Sequence, residues 1–375
     1  MFNKDRGRLT PGALRLGVPG MMLAVASLLT AGSAMAAGTV QVCVPEKEGA
    51  TIVTPKAGVC KAKYTLAEFP KVKYEASGVA AKPTVVFSGE NVEVNSGAGK
   101  TNAPVNGEGN LVIGYDADPG TERGKAGAQT GSNNLILGEE QEFTSFGGIV
   151  AGLMDSVTER FASVTGGYDN FASGSYASIS GGAGNNASGS YASISGGGAS
   201  LASGLYASVS GGEANTASDR GASVSGGSSN RATSFWTSVS GGQSNVANEN
   251  WASVSGGEFN IAEGQSSAVS GGSSNEATFN DASVSGGGEN VASGGNSSIG
   301  GGTENTATGD LASIAGGRRN SASLNGTSVS GGEDNQAKGD FSWVGGGSTN
   351  NASGPESAIF GGKDLTASKE YEALP

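Results

Sequence analysis

Residues 162–176 read ASVTGGYDNFASGSY. The same fifteen-residue unit runs fourteen times from Ala162 onward without an insertion or a deletion. A fixed short period is the sequence signature of a solenoid, whose units stack on one another. A rod of near-identical coils presents rows of repeated side chains rather than one unique catalytic pocket. We number the positions of the unit from one to fifteen, with Ala162 as position one.

Five positions of the unit hardly vary. Position three is Val or Ile and position eleven is Ala in all fourteen copies; positions five and six are Gly-Gly in all fourteen, and position nine is Asn in all but Ser200 and Leu365. Successive side chains of a strand alternate between its two faces. Positions one and three therefore share the inward face, positions nine and eleven point the same way as each other, and position ten points outward. The glycines permit positive φ and a close approach between neighbouring coils.

This pattern predicts an all-β fold, a β-solenoid or β-roll of fifteen-residue coils with two short strands per coil. Each coil buries one Val or Ile and one Ala, which is little apolar volume for fifteen ordered residues. A rod with so thin a core gains from burying a second face against other copies. We therefore expect a homo-oligomer.

Composition and charge argue against several classes of function. The 375 residues include 67 Gly and no His, and the formal net charge is −12. An acidic chain repels phosphate backbones, so we expect no nucleic-acid partner. Without His, a Ser-His-Asp or Cys-His arrangement is impossible. Carboxylate pairs for glycoside cleavage stay open, but solenoid enzymes of that kind have wider coils with inserted loops. We predict no enzyme, no cofactor and no metal site.

Residues 1–36 have the features of an export signal. A basic start precedes an apolar run from Leu16 to Ala31, and Ala34-Met35-Ala36 suits signal peptidase. An uncleaved membrane anchor is the alternative, and Pro19 and Gly20 favour the signal. We expect an exported protein, extracellular or on the cell surface.

Export gives the two cysteines of the chain a role. Cys43 and Cys60 would lie where disulfides persist, and a bridge between them would close a short loop. Two thiols without an imidazole do not complete a tetrahedral zinc site. We expect a disulfide. The sequence then divides into a signal peptide (1–36), a small Cys-bounded module (37–80), irregular β coils that cap the solenoid (81–160), the regular solenoid (161–368) and a tail (369–375).

The array resembles a known family, the heads of trimeric autotransporter adhesins (YadA-like β-rolls). Coils of that family carry Ser-Val-Ala-Ile-Gly followed by x-x-Ala-x-Ala-x-Gly; residues 178–182 and 185–189 keep that order, and Asn-Leu-Ile-Leu-Gly at 134–138 is closer still. The resemblance covers about residues 105–368. It implies a left-handed β-roll, three chains packed side by side, and adhesion to host matrix or to like cells.

The chain departs from that family in two respects. Its coil has fifteen residues where the family commonly has fourteen, with a Gly in place of the second apolar residue. After the array we find neither the heptads of a stalk nor the alternating strands of an outer-membrane barrel. The resemblance therefore implies the fold and a surface role, not self-transport.

Position fifteen supplies the candidate binding residues. Aromatic side chains recur there along one edge of the predicted rod: Tyr176, Tyr191, Tyr206, Trp236 and Trp251. One interpretation is a stacking platform for sugar rings or for a partner's apolar side chains. The other is aromatic stacking that stiffens the rod or fills a subunit interface, and we favour it.

Three further patterns have structural readings. The Asn row resembles calcium-binding repeats, but those use carboxylates, and we attribute Asn to its tolerance of left-handed φ and its amide bonds to backbone. Hydroxyl rows at positions two and four resemble ice-binding faces, yet Ser is a weak substitute for Thr. Gly97-Ala98-Gly99-Lys100-Thr101 imitates a phosphate-binding loop without its first Gly or its helix.

We therefore predict an exported adhesive or structural surface protein. Its partners would be copies of itself, most simply as a trimer, and extracellular matrix, cell-surface glycan or like cells. The alternative is a non-catalytic solenoid that binds ice or polysaccharide.

Overall fold

The computed structural model describes residues 40–45, 53, 55–69, 72–75, 77–89, 91–117 and 128–375. The predicted signal segment, residues 1–36, lies outside the described residues. The chain forms two compact units, with the boundary between Asn110 and Leu111.

The N-terminal unit is built from antiparallel pairs. Strands Val40–Pro45 and Tyr64–Phe69 pair with each other, and Cys43, buried in the first of them, forms the predicted disulfide with Cys60. Strands Val72–Glu75 and Thr84–Phe87 form a second pair, connected through a 3-10 turn at Val79–Ala81.

Because of this second pair, the solenoid begins later in the chain than the sequence predicts. We expected irregular coils from residue 81, but Thr84–Phe87 takes an antiparallel partner from the preceding sequence. Residues 91–94 have no regular secondary structure. The first parallel pairing of the solenoid joins Leu111–Ile113 to Leu135–Leu137.

From Leu111 onward the chain winds into a β-solenoid, as the period predicts. Positions two and three of each coil form one parallel sheet, sheet A. Its strands are Leu111–Ile113, Leu135–Glu139, Ile149–Leu153, Ser163–Val164, Ser178–Ile179, Ser193–Ile194, Ser208–Val209, Ser223–Val224, Ser238–Val239, Ser253–Val254, Ala268–Val269, Ser283–Val284, Ser298–Ile299, Ser313–Ile314, Ser328–Val329, Trp343–Val344, Ala358–Ile359 and Ala373–Leu374.

Positions ten and eleven form a second, sixteen-stranded parallel sheet, sheet B. Its strands are Glu142–Phe143, Ser156–Val157, Phe171–Ala172, Asn186–Ala187, Leu201–Ala202, Thr216–Ala217, Arg231–Ala232, Val246–Ala247, Ile261–Ala262, Glu276–Ala277, Val291–Ala292, Thr306–Ala307, Ser321–Ala322, Gln336–Ala337, Asn351–Ala352 and Thr366–Ala367. Position seven adds a third parallel row of single bridges, from Leu153↔Tyr168 to Ser348↔Lys363. Each coil therefore has the two predicted strands and one further paired residue.

The core lies between the sheets and has the predicted occupants. Val or Ile at position three and Ala at position eleven are buried in every regular coil, for example Val239 and Ala247. In register, Val239 stacks between Val224 and Val254. Position nine is buried as well, so amide groups share the interior with the aliphatic side chains.

The first coils of the solenoid differ from the regular ones in length and bulk. Ile149 pairs with Leu135 on one side and Ser163 on the other, so these strands repeat every fourteen residues. Phe143 and Val157 occupy the sheet B row that Ala172 continues. These coils therefore hold bulkier core residues than the regular ones.

The segment expected as a tail belongs to the solenoid. Strand Ala373–Leu374 pairs in parallel with Ala358–Ile359. Leu374 takes position three of a further coil, and together with Leu365 it packs, partly buried, against the core. The regular array therefore continues beyond residue 368.

Candidate functional site

The aromatic side chains predicted at position fifteen lie along one edge of the solenoid. We call this row the aromatic rail: Phe161, Tyr176, Tyr191, Tyr206, Trp236 and Trp251, with Gly221 between Tyr206 and Trp236. Its six aromatic side chains are between 38% and 51% exposed. Sequence reasoning missed Phe161, although it lies one period before Tyr176.

The rings of the N-terminal half of the rail stack on one another. Ring centroids are 5.2 Å apart for Phe161–Tyr176, 4.8 Å for Tyr176–Tyr191 and 5.1 Å for Tyr191–Tyr206, with interplanar angles of 20°, 2° and 27°. Ring faces are turned toward neighbouring coils, and ring edges remain for solvent. A ring edge carries partial positive charge and suits edge-to-face contacts.

The backbone conformation fixes where these side chains point. Position fifteen has a left-handed φ in every coil; φ is 62° at Tyr176 and 54° at Trp236. The next residue closes a turn, since the Ala177 N–H donates to the Gly174 oxygen (3.0 Å). The Tyr176 N–H donates backwards to Arg160 of the preceding coil (3.0 Å).

Gly fits this position without a side chain to accommodate, as Gly221 and Gly326 demonstrate. A bulky residue with positive φ is a backbone outlier that costs about 1 kcal/mol or more. The fold therefore does not require aromatic residues on the rail.

Gly221 leaves a gap in the stack that Trp236 covers. A methyl group on Gly221 would lie 2.5 Å from Cε3 of the Trp236 indole. Phe235, at position fourteen, packs edge-on against Trp236 and Trp251, with centroids 6.0 Å and 5.7 Å away. This half of the rail is therefore bulkier than the half that precedes Gly221.

Two arginines at position fourteen flank the stacked rings. The Arg160 guanidinium lies 5.6 Å from the Tyr176 ring centroid, and that of Arg220 lies 5.9 Å from the Phe235 centroid. Cation–π contacts of this kind contribute about 0.5–1 kcal/mol at exposed sites. The sequence pattern alone did not draw attention to either arginine.

The Asn row has a structural role inside the coil. Asn260 donates through Nδ2 to the oxygens of Gly256 in its own coil and Gly272 in the next (both 2.9 Å), and its Oδ1 accepts from the Asn275 N–H (3.0 Å). The predicted amide bonds to backbone are confirmed. The predicted left-handed φ at Asn is wrong: position eight adopts it, for example Phe259 at 55°. Because these amides are used within and between coils, they leave little for a calcium ion.

The hydroxyl rows lie on the outer face of sheet A. Position two is half-buried and position four is exposed, as at Ser178 and Ser180.

The phosphate-loop imitation at 97–101 lies in turns and bends with no strand or helix directly beside it. Its Gly97 N–H donates to Asn95 Oδ1 (3.0 Å).

Two ionisable side chains with shifted pKa values, Arg319 and Asp334, lie at position eight, away from the rail. Arg319 donates through Nε and Nη2 to the Asp334 carboxylate (2.7 and 2.6 Å), and Nη2 also reaches Glu333 (3.0 Å). This hydrogen bonding lowers the pKa of Asp334 and raises that of Arg319. Both side chains are over a third exposed, so the network reads as a surface brace between coils.

Within the described parts of the chain, no three His, Cys, Asp or Glu side chains are grouped so that they could hold a metal ion. Nor does any helix in those parts have the length and apolar character needed to span a membrane.

No protein-family model matches the chain, and we find no similar protein among curated sequences.

Proposed function

We propose that this chain is an exported surface protein whose solenoid mediates attachment to cells or matrix. The rod would serve as the head of an assembly like the trimeric autotransporter adhesins, with further copies packed alongside. Its task is contact through repeated side chains on a stiff scaffold, not catalysis.

The aromatic rail is the observation that carries the proposal. It places half-exposed Tyr and Trp side chains at left-handed positions that Gly fills elsewhere in the same solenoid. Tyr, Trp and Arg are enriched among the residues that dominate the binding energy of protein interfaces, and Tyr and Trp offer large contact areas at low entropic cost. A bulky side chain on left-handed backbone, at a position where the fold also accepts Gly, points to a functional use.

Two features of the N-terminal half support the export and family parts of the proposal. The strands that begin at Leu135, Ile149 and Ser163 repeat every fourteen residues, as the adhesin heads commonly do. The Cys43–Cys60 disulfide suits an oxidising compartment.

Attachment is tested with the full chain coupled to inert beads. Beads should adhere to dishes coated with basement-membrane extract, or to beads carrying the same chain, well above albumin-coated beads. A Val239→Asn variant, which buries an unpaired amide, should lose this adhesion together with coil structure by circular dichroism. Folded wild-type chain that adheres no better than albumin to either surface would contradict the proposal.

The outer face of sheet A supports a second candidate, the binding of ice or polysaccharide. Position four carries an unbroken run of exposed hydroxyls from Thr165 through Ser180 to Ser285. Thermal hysteresis that is lost when Ser225 and Ser240 are changed to Tyr would establish it. Absence of hysteresis, together with no retention on polysaccharide columns, would exclude it.

A further inference from the structure

The aromatic rail is a local cluster: farther along the solenoid, position fifteen carries apolar side chains only at Leu311, Phe341 and Tyr371, which are isolated from the rail. In the three coils after Trp251, position fifteen carries Ser266, Asp281 and Asn296. A lateral contact between parallel chains would run through every coil. The rail instead spans six coil spacings, about 29 Å, which is the width of one standard protein interface.

The two halves of the rail differ in bulk. Beside Tyr176 and Tyr191, positions thirteen and fourteen are Gly and Ser. Beyond Tyr206 the same positions bring Arg220 and Phe235 next to the tryptophans. The two halves have equal length. Two rails are therefore complementary in shape when they lie antiparallel, because the slim half of each then faces the bulky half of the other.

We propose that the rail docks antiparallel against the rail of a second copy of this chain, about a twofold axis at Tyr206. Full overlap then sets Phe161 opposite Trp251 and Tyr176 opposite Trp236. Tyr191 faces Gly221, the gap in the partner's row. Such an interface is isologous, since each residue pair occurs twice.

Charge agrees with this register. Arg160, preceded by Glu159, lies in the coil of Phe161, and Glu249 lies in the coil of Trp251; all three are exposed and next to the rail. Antiparallel overlap places Arg160 of each copy beside Glu249 of the other. Parallel overlap would instead separate these two charges by six coils.

Antiparallel docking suits rods that project toward each other from facing surfaces. Its role in joining like cells rests on the proposed function, whereas the docking itself does not. Where the rods are already oligomeric, the same contact would double the mass of the oligomer.

Cysteine cross-linking of the full chain tests the axis. The two native cysteines are already paired. Under mild oxidation Tyr206→Cys should cross-link to itself, whereas Tyr176→Cys and Trp236→Cys should cross-link only when the two are mixed. Parallel pairing would make each single variant cross-link to itself. That outcome, or the absence of cross-linking in all of them, would overturn the proposal.

Sedimentation equilibrium tests the energetics. Trp236→Ser should weaken self-association at least about 30-fold, as expected for a hot-spot residue. Phe341→Ser is the matched control. Phe341 also occupies position fifteen with left-handed φ, follows a Gly at that position of the preceding coil, and is 58% exposed against 51% for Trp236. It should leave association unchanged.

A charge swap separates docking from a merely structural effect. Arg160→Glu should weaken association about tenfold, and adding Glu249→Arg to the same chain should restore it. Failure of the swap, or wild-type association by Trp236→Ser, overturns the docking. Beads that still adhere to matrix in that case leave the adhesive function standing, so the two failures are distinguishable.

Discussion

Asparagine at position nine joins two consecutive coils through one buried side chain. Its Oδ1 accepts the main-chain N–H of the next Asn, and its Nδ2 satisfies two glycine oxygens. A buried group left without a partner costs about 1–3 kcal/mol. The row therefore acts as an internal scaffold for the turns at positions five to eight.

Replacing one of these residues should loosen its coil and the next. In Asn260→Leu the Gly256 and Gly272 oxygens and the Asn275 N–H lose a partner, and we expect a loss of about 3–5 kcal/mol in local stability. Amide exchange across residues 245–290 measures it.

Asn260→Ser is the matched control for this change. Ser200 occupies the same row naturally, and its Oγ still accepts from the Asn215 N–H (3.3 Å). We expect Asn260→Ser to cost distinctly less than Asn260→Leu. Equal exchange rates in wild type and both variants would show that the row does not hold the coils together.

The two glycines of each pair serve different needs. Gly257 has φ of 86°, and a methyl group there would overlap the Gly272 carbonyl oxygen of the next coil. A methyl group on Gly256 meets open space. Gly257→Ala should therefore cost about 2–4 kcal/mol, combining backbone strain with a steric clash.

Gly256→Ala is the neighbouring control and should cost under about 1 kcal/mol. Amide exchange in the coils on either side compares the two variants. Similar protection in both would mean that the stacking distance is looser than this geometry requires.

The strands of sheets A and B are only two residues long in the regular coils, so each element depends on its stack. Strands this short have no independent stability. Sheet A contributes a large side chain, Val or Ile, to the interior, and sheet B contributes the smaller Ala, as Val239 and Ala247 illustrate. The small residue leaves room for the amide row at position nine.

Exchanging the large core residue of sheet A and the small core residue of sheet B tests this packing. Ala247→Val overfills the core and should cost about 1–3 kcal/mol, while Val239→Ala leaves a cavity and should cost about 2 kcal/mol. The double variant keeps the total volume and should lose less than the sum of the single changes.

Local amide exchange again measures the effect, because a repeat array need not unfold in one step. Val246→Ala, at the outward position ten, is the control and should change little. Strict additivity of the two core changes would contradict a shared interior.

On the scale of the whole molecule, the disulfide and the solenoid belong to different compact units. The bridge joins residues 17 apart in sequence, for which loop-closure entropy gives about 3 kcal/mol. Reduction should therefore speed amide exchange in Val40–Pro45 and Tyr64–Phe69 while leaving the coils of residues 162–371 protected. A variant with Cys43→Ser and Cys60→Ser should show the same pattern with no further response to reductant. Equal loss of protection in both units would contradict their independence.

The candidate site was only partly predictable. The fifteen-residue period placed Tyr176, Tyr191, Tyr206, Trp236 and Trp251 on one edge, because a constant period repeats one orientation. It did not identify Arg160 and Arg220 as ring partners, since a cation–π contact depends on side-chain geometry across coils. Nor did it show that the ring faces stack on each other.

The amino-acid pattern alone is enough to predict the solenoid, its fifteen-residue coil and the burial of positions three and eleven, because side-chain alternation and a constant period are local properties of the chain. Three other features depend on contacts that form only in the folded protein. Thr84–Phe87 formed a hairpin with Val72–Glu75, because the 3-10 turn at Val79–Ala81 connects the two strands. Left-handed φ fell at position eight, as at Phe259, rather than at the Asn of position nine, whose amide bonds to the glycine carbonyls of two coils. Tyr176 and Trp236 adopted left-handed backbone against their own preference, because their N–H groups donate to the coil before them.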